Sequence, residues 1–417
     1  MNINENELIK LYGEDQLDRQ KARYKAAEES FVREFGEQSG VRVFSAPGRT
    51  EVSGNHTDHN NGKVLAAAVN LDIIAYTVPT DDGIITVKSE GYPLFTVDTK
   101  ELEAKADEKD TTPALVRGVA AGFANNGLKI GGFKAYMTSD VMKGSGVSSS
   151  AAFEVLVASI LSGLYNDNTV SAVKAAQISQ FAENKYFGKP SGLLDQMAAS
   201  VGGFVYVDFK KTQYPVIEPI EFNINQYGYT LCIVDTKGSH ADLTPEYAAI
   251  PAEMKSVAAA LGKTVLREVG EEEFFAKMGE LRKKCGDRAV LRAAHFFDEN
   301  NRVEKAAEAL KSGDIDTFLA AIKASGNSSY KFLQNVYANK NPEEQGVAIG
   351  LYTAERVLGG KGASRVHGGG FAGTIQAFVP NELLDEFVKA ENAVFGEGSC
   401  HKLFIRPVGG VEVNAEF

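Results

Sequence analysis

The segment from residue 143 to residue 165 constrains the fold most, because a glycine- and serine-rich run leads directly into an apolar stretch. The run reads Lys-Gly-Ser-Gly-Val-Ser-Ser-Ser-Ala-Ala over 143–152. Residues 151–165 are apolar on nearly all sides of a helix, which predicts a helix buried in a core. Glycines and successive N–H groups at a helix N-terminus favour anions, so we expect a phosphate site there. The alternative is a flexible connector with ordinary N-capping.

Chain length, charge and cysteine content narrow the class of protein. The chain has 417 residues, which favours two domains, and a net charge of −11, which argues against nucleic acid or an anionic membrane as partner. Its three cysteines are far apart in the sequence, as expected in a reducing compartment. The N-terminus lacks the pattern of a signal peptide, and the apolar stretch 64–78 is too short to span a bilayer. We therefore expect a soluble, cytoplasmic protein.

Local patterns predict a mixture of helices and strands. Residues 3–35 predict one helix, and 245–336 predict a long helical stretch. Residues 73–79 and 84–88 flank an Asp-Asp-Gly turn and predict a β-hairpin.

The order of these elements predicts the fold class. Helices and strands alternate without a βαβ rhythm, which favours two α+β domains over a doubly wound sheet. An aperiodic segment at 210–228 predicts the boundary, with an N-terminal domain at 1–212 and a C-terminal domain at 213–417.

A second glycine-rich segment, 45–62, concentrates hydrogen-bonding side chains. Arg49, Asn55, His56, Asp58 and His59 fall within eleven residues, a density that suits a polyhydroxyl ligand. A solvated surface loop is the simpler alternative. Metal binding through the two histidines and Asp58 is a further one, although no second cluster of ligands accompanies them.

A third segment, 365–374, contains three consecutive glycines, and the three segments together resemble the signature motifs of the GHMP small-molecule kinases. Pro47-Gly-Arg…Gly-Asn-His-Thr-Asp58 is similar to the galactokinase signature GRVNLIGEHTDY, and 144–152 is similar to GxGLSSSA. His367-Gly-Gly-Gly-Phe-Ala-Gly-Thr374 resembles GGGFGG. Gly192-Leu-Leu-Asp-Gln196 and 235–247 also resemble galactokinase motifs.

The resemblance implies a two-domain α+β GHMP kinase fold with the active site between the domains. It also implies an enzyme that uses ATP and Mg²⁺ to phosphorylate the anomeric hydroxyl of galactose. The alternatives are a 1-kinase for galacturonate or N-acetylgalactosamine, and a non-catalytic galactose and ATP sensor. Intact residues 148–152 and Asp195 disfavour the sensor. The expected partners are a small sugar and ATP, without nucleic acid or membrane, and we expect a monomer.

The resemblance also implies roles for individual residues. Asp195 aligns with the catalytic base and Arg49 with the arginine beside it, although Asp195 could instead cap the helix at 196–201. Glu183 aligns with a Mg²⁺ ligand, to which Ser149 or Ser150 adds a hydroxyl; an exposed helix face is the alternative for Glu183. The implied sugar-binding residues are Asn55, His56, Asp58, Gly192 and Tyr247. The implied nucleotide-binding residues are Gly144, Ser145, Gly146, Val147, Ser148, Ser149, Ser150, Ala151, Gly369 and Gly370; the implied metal ligands are Ser150 and Glu183.

Departures from the usual motifs affect the sugar pocket more than the kinase chemistry. Asn55 replaces the usual glutamate, His59 stands where tyrosine is common, and Ser191 replaces a frequent cysteine. An arginine pair is absent at 248–250, and 325–327 lacks the usual histidine. We expect the Asn55 carbonyl to accept a hydrogen bond from the sugar's C6 hydroxyl, more weakly than a glutamate would.

Overall fold

The computed structural model describes residues 2–141, 147–189, 191–239, 242–413 and 415–416. The helices within these ranges are α1 (Glu5–Tyr12), α2 (Leu17–Phe35), α3 (Thr112–Asn125), α4 (Ser149–Asn166), α5 (Ala172–Ala182), α6 (Leu194–Val201), α7 (Thr244–Ala260), α8 (Glu271–Cys285), α9 (Asp287–Ser312), α10 (Ile315–Ser328), α11 (Gly346–Leu358) and α12 (Leu384–Phe395). The strands are β1 (Asn2–Ile3), β2 (Arg42–Ser53), β3 (Lys63–Thr80), β4 (Ile84–Ser89), β5 (Phe95–Asp98), β6 (Gly132–Ser139), β7 (Phe204–Asp208), β8 (Val216–Ile220), β9 (Tyr229–Asp235), β10 (Ala363–His367), β11 (Thr374–Pro380), β12 (Cys400–Leu403), β13 (Val411–Val413) and β14 (Ala415–Glu416).

The larger sheet has the order β13-β2-β3-β6-β4-β5, and its long central strand β3 also pairs with β7, which pairs with β8. Helices α3, α4 and α5 cover one face of this sheet and share a core with it. Helix α4 is buried along most of its length, as its apolar pattern predicts. Its N-terminus, which follows the glycine- and serine-rich run, is therefore held in a fixed position.

The hairpin predicted from residues 73–79 and 84–88 is wrong. Strands β3 and β4 are not neighbours, because β6 lies between them, antiparallel to β3 and parallel to β4. Gly132 makes this insertion possible, since a Cβ atom there would lie 2.5 Å from Thr80 Oγ1 and 2.6 Å from Ile84 N. The Asp-Asp-Gly turn reverses the chain between β3 and β4, but it does not decide which strand pairs with either of them.

The smaller sheet has the order β10-β11-β9-β12 and carries the third glycine segment between β10 and β11. Helices α11 and α12 pack against it, while α7, α8 and α9 form a separate helical layer with its own core. The predicted helical stretch 245–336 is thus divided into α7 to α10. Two mixed layers of helix and sheet confirm the α+β class.

Strand pairing links the two halves of the chain across the predicted boundary. Strand β8 follows residue 213 but pairs with β7, and β13 pairs with β2 in the larger sheet. The division into domains at 1–212 and 213–417 stays a prediction.

The N-terminal segment forms two helices rather than the single one predicted. Helix α1 ends at Gly13, whose φ of +88° is unfavourable for other residues, and α2 begins at Leu17. Both helices pack on the larger sheet through a core that includes Leu11, Phe31 and Tyr76. No helix in the described ranges has both the length and the apolar composition needed to cross a bilayer.

Candidate active site

An arginine–aspartate pair lies where β2 of the larger sheet meets the first turn of α6. Arg49 Nε donates a hydrogen bond to Asp195 Oδ1 at 2.7 Å. Arg49 is buried, whereas the Asp195 side chain keeps 30% of its surface exposed. Asp195 is the second residue of α6 and Leu193 is its N-cap, so the alternative that Asp195 caps this helix is wrong. The carboxylate is thus fixed by a cation on one side and accessible on the other.

The charge state of Asp195 follows from its surroundings. Burial raises the pKa of this carboxyl, but the Arg49 charge and the hydrogen bonds from Arg49 and Ser148 outweigh burial and hold the pKa below its usual value. Asp195 is therefore ionised at neutral pH and can accept a hydrogen bond from a substrate hydroxyl.

The glycine- and serine-rich run reaches this pair at its C-terminal end. Gly144, Ser145 and Gly146 lie outside the described residues. Ser148 has a φ of +53° and no capping hydrogen bond to α4. Its hydroxyl donates instead to Asp195 Oδ2, so ordinary N-capping by this residue is wrong. The N-terminus of α4 therefore faces Asp195, with the hydroxyls of Ser149 and Ser150 in its first turn.

Glu183 lies beside this N-terminus and is buried, so the alternative of an exposed helix face is wrong. Its Oε1 accepts hydrogen bonds from Ser150 Oγ and Lys189 Nζ, both at 3.1 Å. Its Oε2 accepts from Ser191 Oγ at 2.5 Å and Gln196 Nε2 at 2.7 Å. A buried carboxylate next to a serine hydroxyl supplies the hard oxygen donors that Mg²⁺ prefers. The pair Ser150 and Glu183 thus fits this ion.

Glu154, on the second turn of α4, was missed in the motif comparison. Gln196 Nε2 also donates to Glu154 Oε2, at 3.0 Å, so one amide bridges two buried carboxyl groups. Burial, together with the charge of Glu183, raises the pKa of Glu154 well above its usual value. Burial and the neighbouring carboxylate thus both favour the protonated form of Glu154.

Asp58 and Gly192, two of the residues expected to bind the sugar, lie against each other. A Cβ atom on residue 192 would lie 2.5 Å from Asp58 Oδ2, so any larger residue would force this carboxylate to move. Asp58 Oδ1 accepts a hydrogen bond from the backbone N–H of His59. The Asp58 carboxylate therefore lies next to the segment Gly192-Leu-Leu, which leads to Asp195.

The third glycine segment contacts the signature segment through its carbonyl groups. His56 Nε2 donates to Gly369 O at 3.0 Å, and Tyr247 OH donates to Gly370 O at 2.9 Å. Gly370 has a φ of +78°, and a Cβ atom there would lie 2.0 Å from Asn335 O. Burial and the neighbouring His59 lower the pKa of His56 to about 4, so its ring is neutral. The signature segment and the third glycine segment therefore form one continuous wall of the candidate site.

Metal binding through the histidines of the signature segment is not supported. The described part of the chain contains no group of three or more His, Cys, Asp or Glu side chains placed to hold a metal ion. His56 Nε2 carries a proton toward a carbonyl, so this nitrogen has no lone pair for a metal.

The structure corrects the prediction that Asn55 contacts the sugar. The side chain is completely buried, and its Nδ2 donates to Glu51 Oε1 at 2.8 Å and to Gly368 O at 2.7 Å. Its Oδ1 accepts from Asn335 Nδ2 at 2.8 Å and from Ser329 Oγ at 3.2 Å. The amide therefore holds the signature segment against the third glycine segment, and its bonding capacity is used within the protein.

Helix α9 supports the signature segment from behind, a role that the motifs do not reveal. Glu299 Oε1 accepts hydrogen bonds from Ser53 Oγ at 3.1 Å and from Gly54 N at 2.9 Å. The ring of His295 bonds to Asn55 O at 3.0 Å. The only sequence signal was the presence of charged residues within an otherwise apolar helix face, because these contacts join residues about 240 positions apart.

The fold and the site define a GHMP kinase. Residues 114–203 match the family described as GHMP kinases N terminal domain. The crystal structure of Methanococcus jannaschii mevalonate kinase has a TM-score of 0.62 at 13% identity, over 88% of this chain and 99% of that one, and so shares the fold.

Within that class the similarity is more specific. Residues 29–78 match the galactokinase galactose-binding signature. Galactokinase of Glaesserella parasuis is 31% identical over 87% of this chain and 91% of its own length, and that of Thermotoga petrophila is 31% identical over 84% and 94%. Lactococcus lactis galactokinase, solved in complex with galactose, has a TM-score of 0.78 at 27% identity, over 94% of this chain and 100% of that one. The chain belongs to the galactokinase family.

Proposed function

We propose that the protein transfers the γ-phosphoryl group of ATP to the anomeric hydroxyl of galactose, giving galactose 1-phosphate and ADP. The observation that carries the proposal is the Arg49–Asp195 pair. Asp195 bonds to Ser148 at the start of α4 on one side, and its loop contacts Asp58 through Gly192 on the other. A phosphate site and a hydroxyl-binding site thus meet at one ionised carboxylate. The galactose complex of the Lactococcus lactis relative supports the choice of sugar.

Asp195 accepts the proton of the attacking hydroxyl in this proposal. A carboxylate with a lowered pKa is a weak base, but phosphoryl transfer passes through a loose transition state and needs little deprotonation beforehand. Arg49 orients the carboxylate and opposes the negative charge on the transferred group. Most of the rate enhancement then comes from positioning and charge stabilisation.

The nucleotide phosphates lie in this proposal against Val147 to Ala151 at the start of α4, with Gly369 and Gly370 on the opposite wall. Ser150 and Glu183 would hold Mg²⁺, which would offset the negative charge of the nucleotide phosphates. Asp58, His56, Tyr247 and Gly192 line the sugar side. A monomeric state and a cytoplasmic location stay predictions.

The proposed reaction predicts that ATP turnover requires a hexose. The site binds the sugar hydroxyl next to Asp195, so galactose should support turnover while water alone should not. The measurement is ADP release with a panel containing galactose, glucose, galacturonate and N-acetylgalactosamine, followed by proton-coupled phosphorus NMR of the product. A doublet from the anomeric proton is expected for galactose 1-phosphate. A 6-phosphate product, or turnover independent of sugar, would overturn the proposal. Turnover with another sugar of the panel and not with galactose would overturn galactose as the substrate.

The metal assignment predicts that Glu183→Gln raises the Mg²⁺ concentration for half-maximal activity by about tenfold or more. The amide keeps the size of the side chain but loses the charge that attracts the ion. The control is Glu412→Gln, because Glu412 pairs with Arg42 on the outer edge of the larger sheet. An unchanged Mg²⁺ dependence in Glu183→Gln would place the ion elsewhere.

A further inference from the structure

The glutamate of the signature segment is residue 51 in this chain, whereas the usual motif has it at the position of residue 55. The motif GRVNLIGEHTDY has an amide four residues before its glutamate, whereas this chain reads Gly-Arg-Thr-Glu-Val-Ser-Gly-Asn-His-Thr-Asp. The acid and the amide have thus exchanged places. Glu51 and Asn55 remain hydrogen-bonded to each other, at 2.8 Å.

Glu51 lies on the same side of strand β2 as Arg49. Side chains alternate along a strand, so residues 49 and 51 face one way. Thr50 and Val52, which alternate with them, are completely buried, whereas Arg49 and Glu51 retain 8% and 7% exposure. The charges of both Arg49 and Asp58 act on the Glu51 carboxylate. Glu51 therefore lies near both Arg49 and Asp58.

One carboxylate oxygen of Glu51 accepts hydrogen bonds from two described side chains, and the other accepts none from a described residue. Oε1 accepts hydrogen bonds from Asn55 Nδ2 at 2.8 Å and from Arg365 Nη2 at 3.2 Å. Arg365 is itself completely buried and also donates to Val52 O. No hydrogen bond from a described residue reaches Oε2, and the side chain keeps 10% of its surface exposed. The two donors fix the carboxylate so that Oε2 is the atom left for a ligand.

We propose that Glu51 Oε2 accepts a hydrogen bond from a hydroxyl of the acceptor sugar, the contact that the usual motif assigns to residue 55. This inference rests on the proposed sugar-kinase function. It makes Glu51 a specificity-determining residue and Asn55 and Arg365 the residues that position it. Since Glu51 and Asp58 both contribute carboxyl groups, the pocket takes neutral sugars and disfavours a uronic acid.

The test is Glu51→Gln, with sugar affinity measured by calorimetry and KM measured separately for galactose and ATP. Replacing a charge-assisted hydrogen bond by a neutral one should weaken galactose binding about five- to tenfold and leave the KM for ATP within about twofold. Deoxygalactoses lacking one hydroxyl at C2, C3, C4 or C6 identify the contact. The analogue that lacks the bonded hydroxyl should bind wild type and variant equally, whereas the others should lose as much as galactose.

Two further variants separate this role from a structural one. Glu51→Asp keeps the charge facing Arg365 but withdraws the oxygen by about one bond, and should give the same analogue pattern if Glu51→Gln does not fold. Glu391→Gln is the control, because Glu391 is buried in the smaller-sheet core, away from the site.

The outcomes are distinct. If both Glu51 variants lose stability but keep wild-type affinity for galactose, Glu51 only anchors Arg365 and the inference is wrong. If every analogue is weakened equally by both substitutions, the inference is also wrong. If wild type phosphorylates no sugar in the panel, the proposed function itself fails.

Discussion

Replacing Asp195 with asparagine should lower kcat for galactose by about a hundredfold or more. The asparagine keeps the shape of the side chain, but it cannot take the proton of the attacking hydroxyl and loses the ion pair with Arg49, now 2.7 Å long. The KM for ATP should change little, because the proposed function places Asp195 against the sugar hydroxyl rather than the nucleotide. Steady-state kinetics with each substrate varied in turn would measure both effects.

Asp208→Asn is the matched control for this prediction. Asp208 also forms an ion pair with an arginine, Arg267, at 2.6 Å, but at the end of β7 and outside the site. Its substitution should leave kcat within about twofold, since partly exposed ion pairs contribute little. Near wild-type turnover by Asp195→Asn, with the variant folded and binding ATP normally, would show that this carboxylate is not the base.

The lowered pKa of Asp195 adds a condition on the pH profile. The carboxyl remains ionised above its usual range near pH 4, so protonation of Asp195 should cause no loss of turnover between pH 8 and pH 5. If turnover falls with a pKa near 6 on the acid side of the pH–rate profile, the titrating group is therefore a residue other than Asp195.

Elements set by local pattern were the ones predictable from sequence. The continuous apolar character of residues 151–165 predicted the buried helix α4. This helix lies in a core, where hydrophobic pattern decides the outcome. The predicted hairpin at 73–88 failed because a strand some 50 residues further along the chain pairs between its two arms. The sequence of residues 73–88 contains no signal for this competing strand.

The candidate site, like the fold, was predictable only where a local sequence pattern exists. The motifs identified Arg49, Asp195 and Glu183, since each is defined by its place in a short sequence pattern and the fold places these patterns side by side. They misassigned Asn55, because a motif gives a position and not the hydrogen-bond partners that surround it. The partners, Asn335 and Ser329, come from segments that have no pattern of their own.

The N-terminal helices, which the motifs left without a role, are joined to the core by a buried carboxylate. Asp72 on β3 is completely buried and accepts hydrogen bonds from Tyr12 at 2.5 Å, Arg23 at 2.6 Å and Arg406 at 3.0 Å. These three donors lie on α1, on α2 and in the segment after β12. The Ser45 hydroxyl on β2 also donates to this carboxylate. One side chain thus connects both ends of the chain to the larger sheet.

Asp72→Asn should therefore lower the free energy of unfolding by about 3–5 kcal/mol, although residue 72 lies outside the proposed site. The substitution removes the counter-charge of the buried Arg406 guanidinium and leaves Arg23 with Asp140 alone, which costs more than the loss of the hydrogen bonds. Asp140→Asn is the matched control: Asp140 also pairs with Arg23, at 3.2 Å, but lies at the partly exposed rim and should change stability by less than about 1 kcal/mol. Urea unfolding of the three proteins measures these differences.

The pH dependence of the difference in unfolding free energy between wild type and Asp72→Asn tests whether the lost charge causes that difference. Burial raises the pKa of Asp72, but Arg23, Arg406 and the hydroxyl donors lower it below its usual value. A carboxyl with a lowered pKa in the folded state stabilises the protein above its unfolded pKa of about 4 and loses that contribution as the pH falls through the folded value. The gap between wild type and Asp72→Asn should thus be constant from pH 8 to about pH 5 and should narrow below pH 4. A gap that persists unchanged in acid would mean that the substitution acts by disturbing packing rather than by removing a charge.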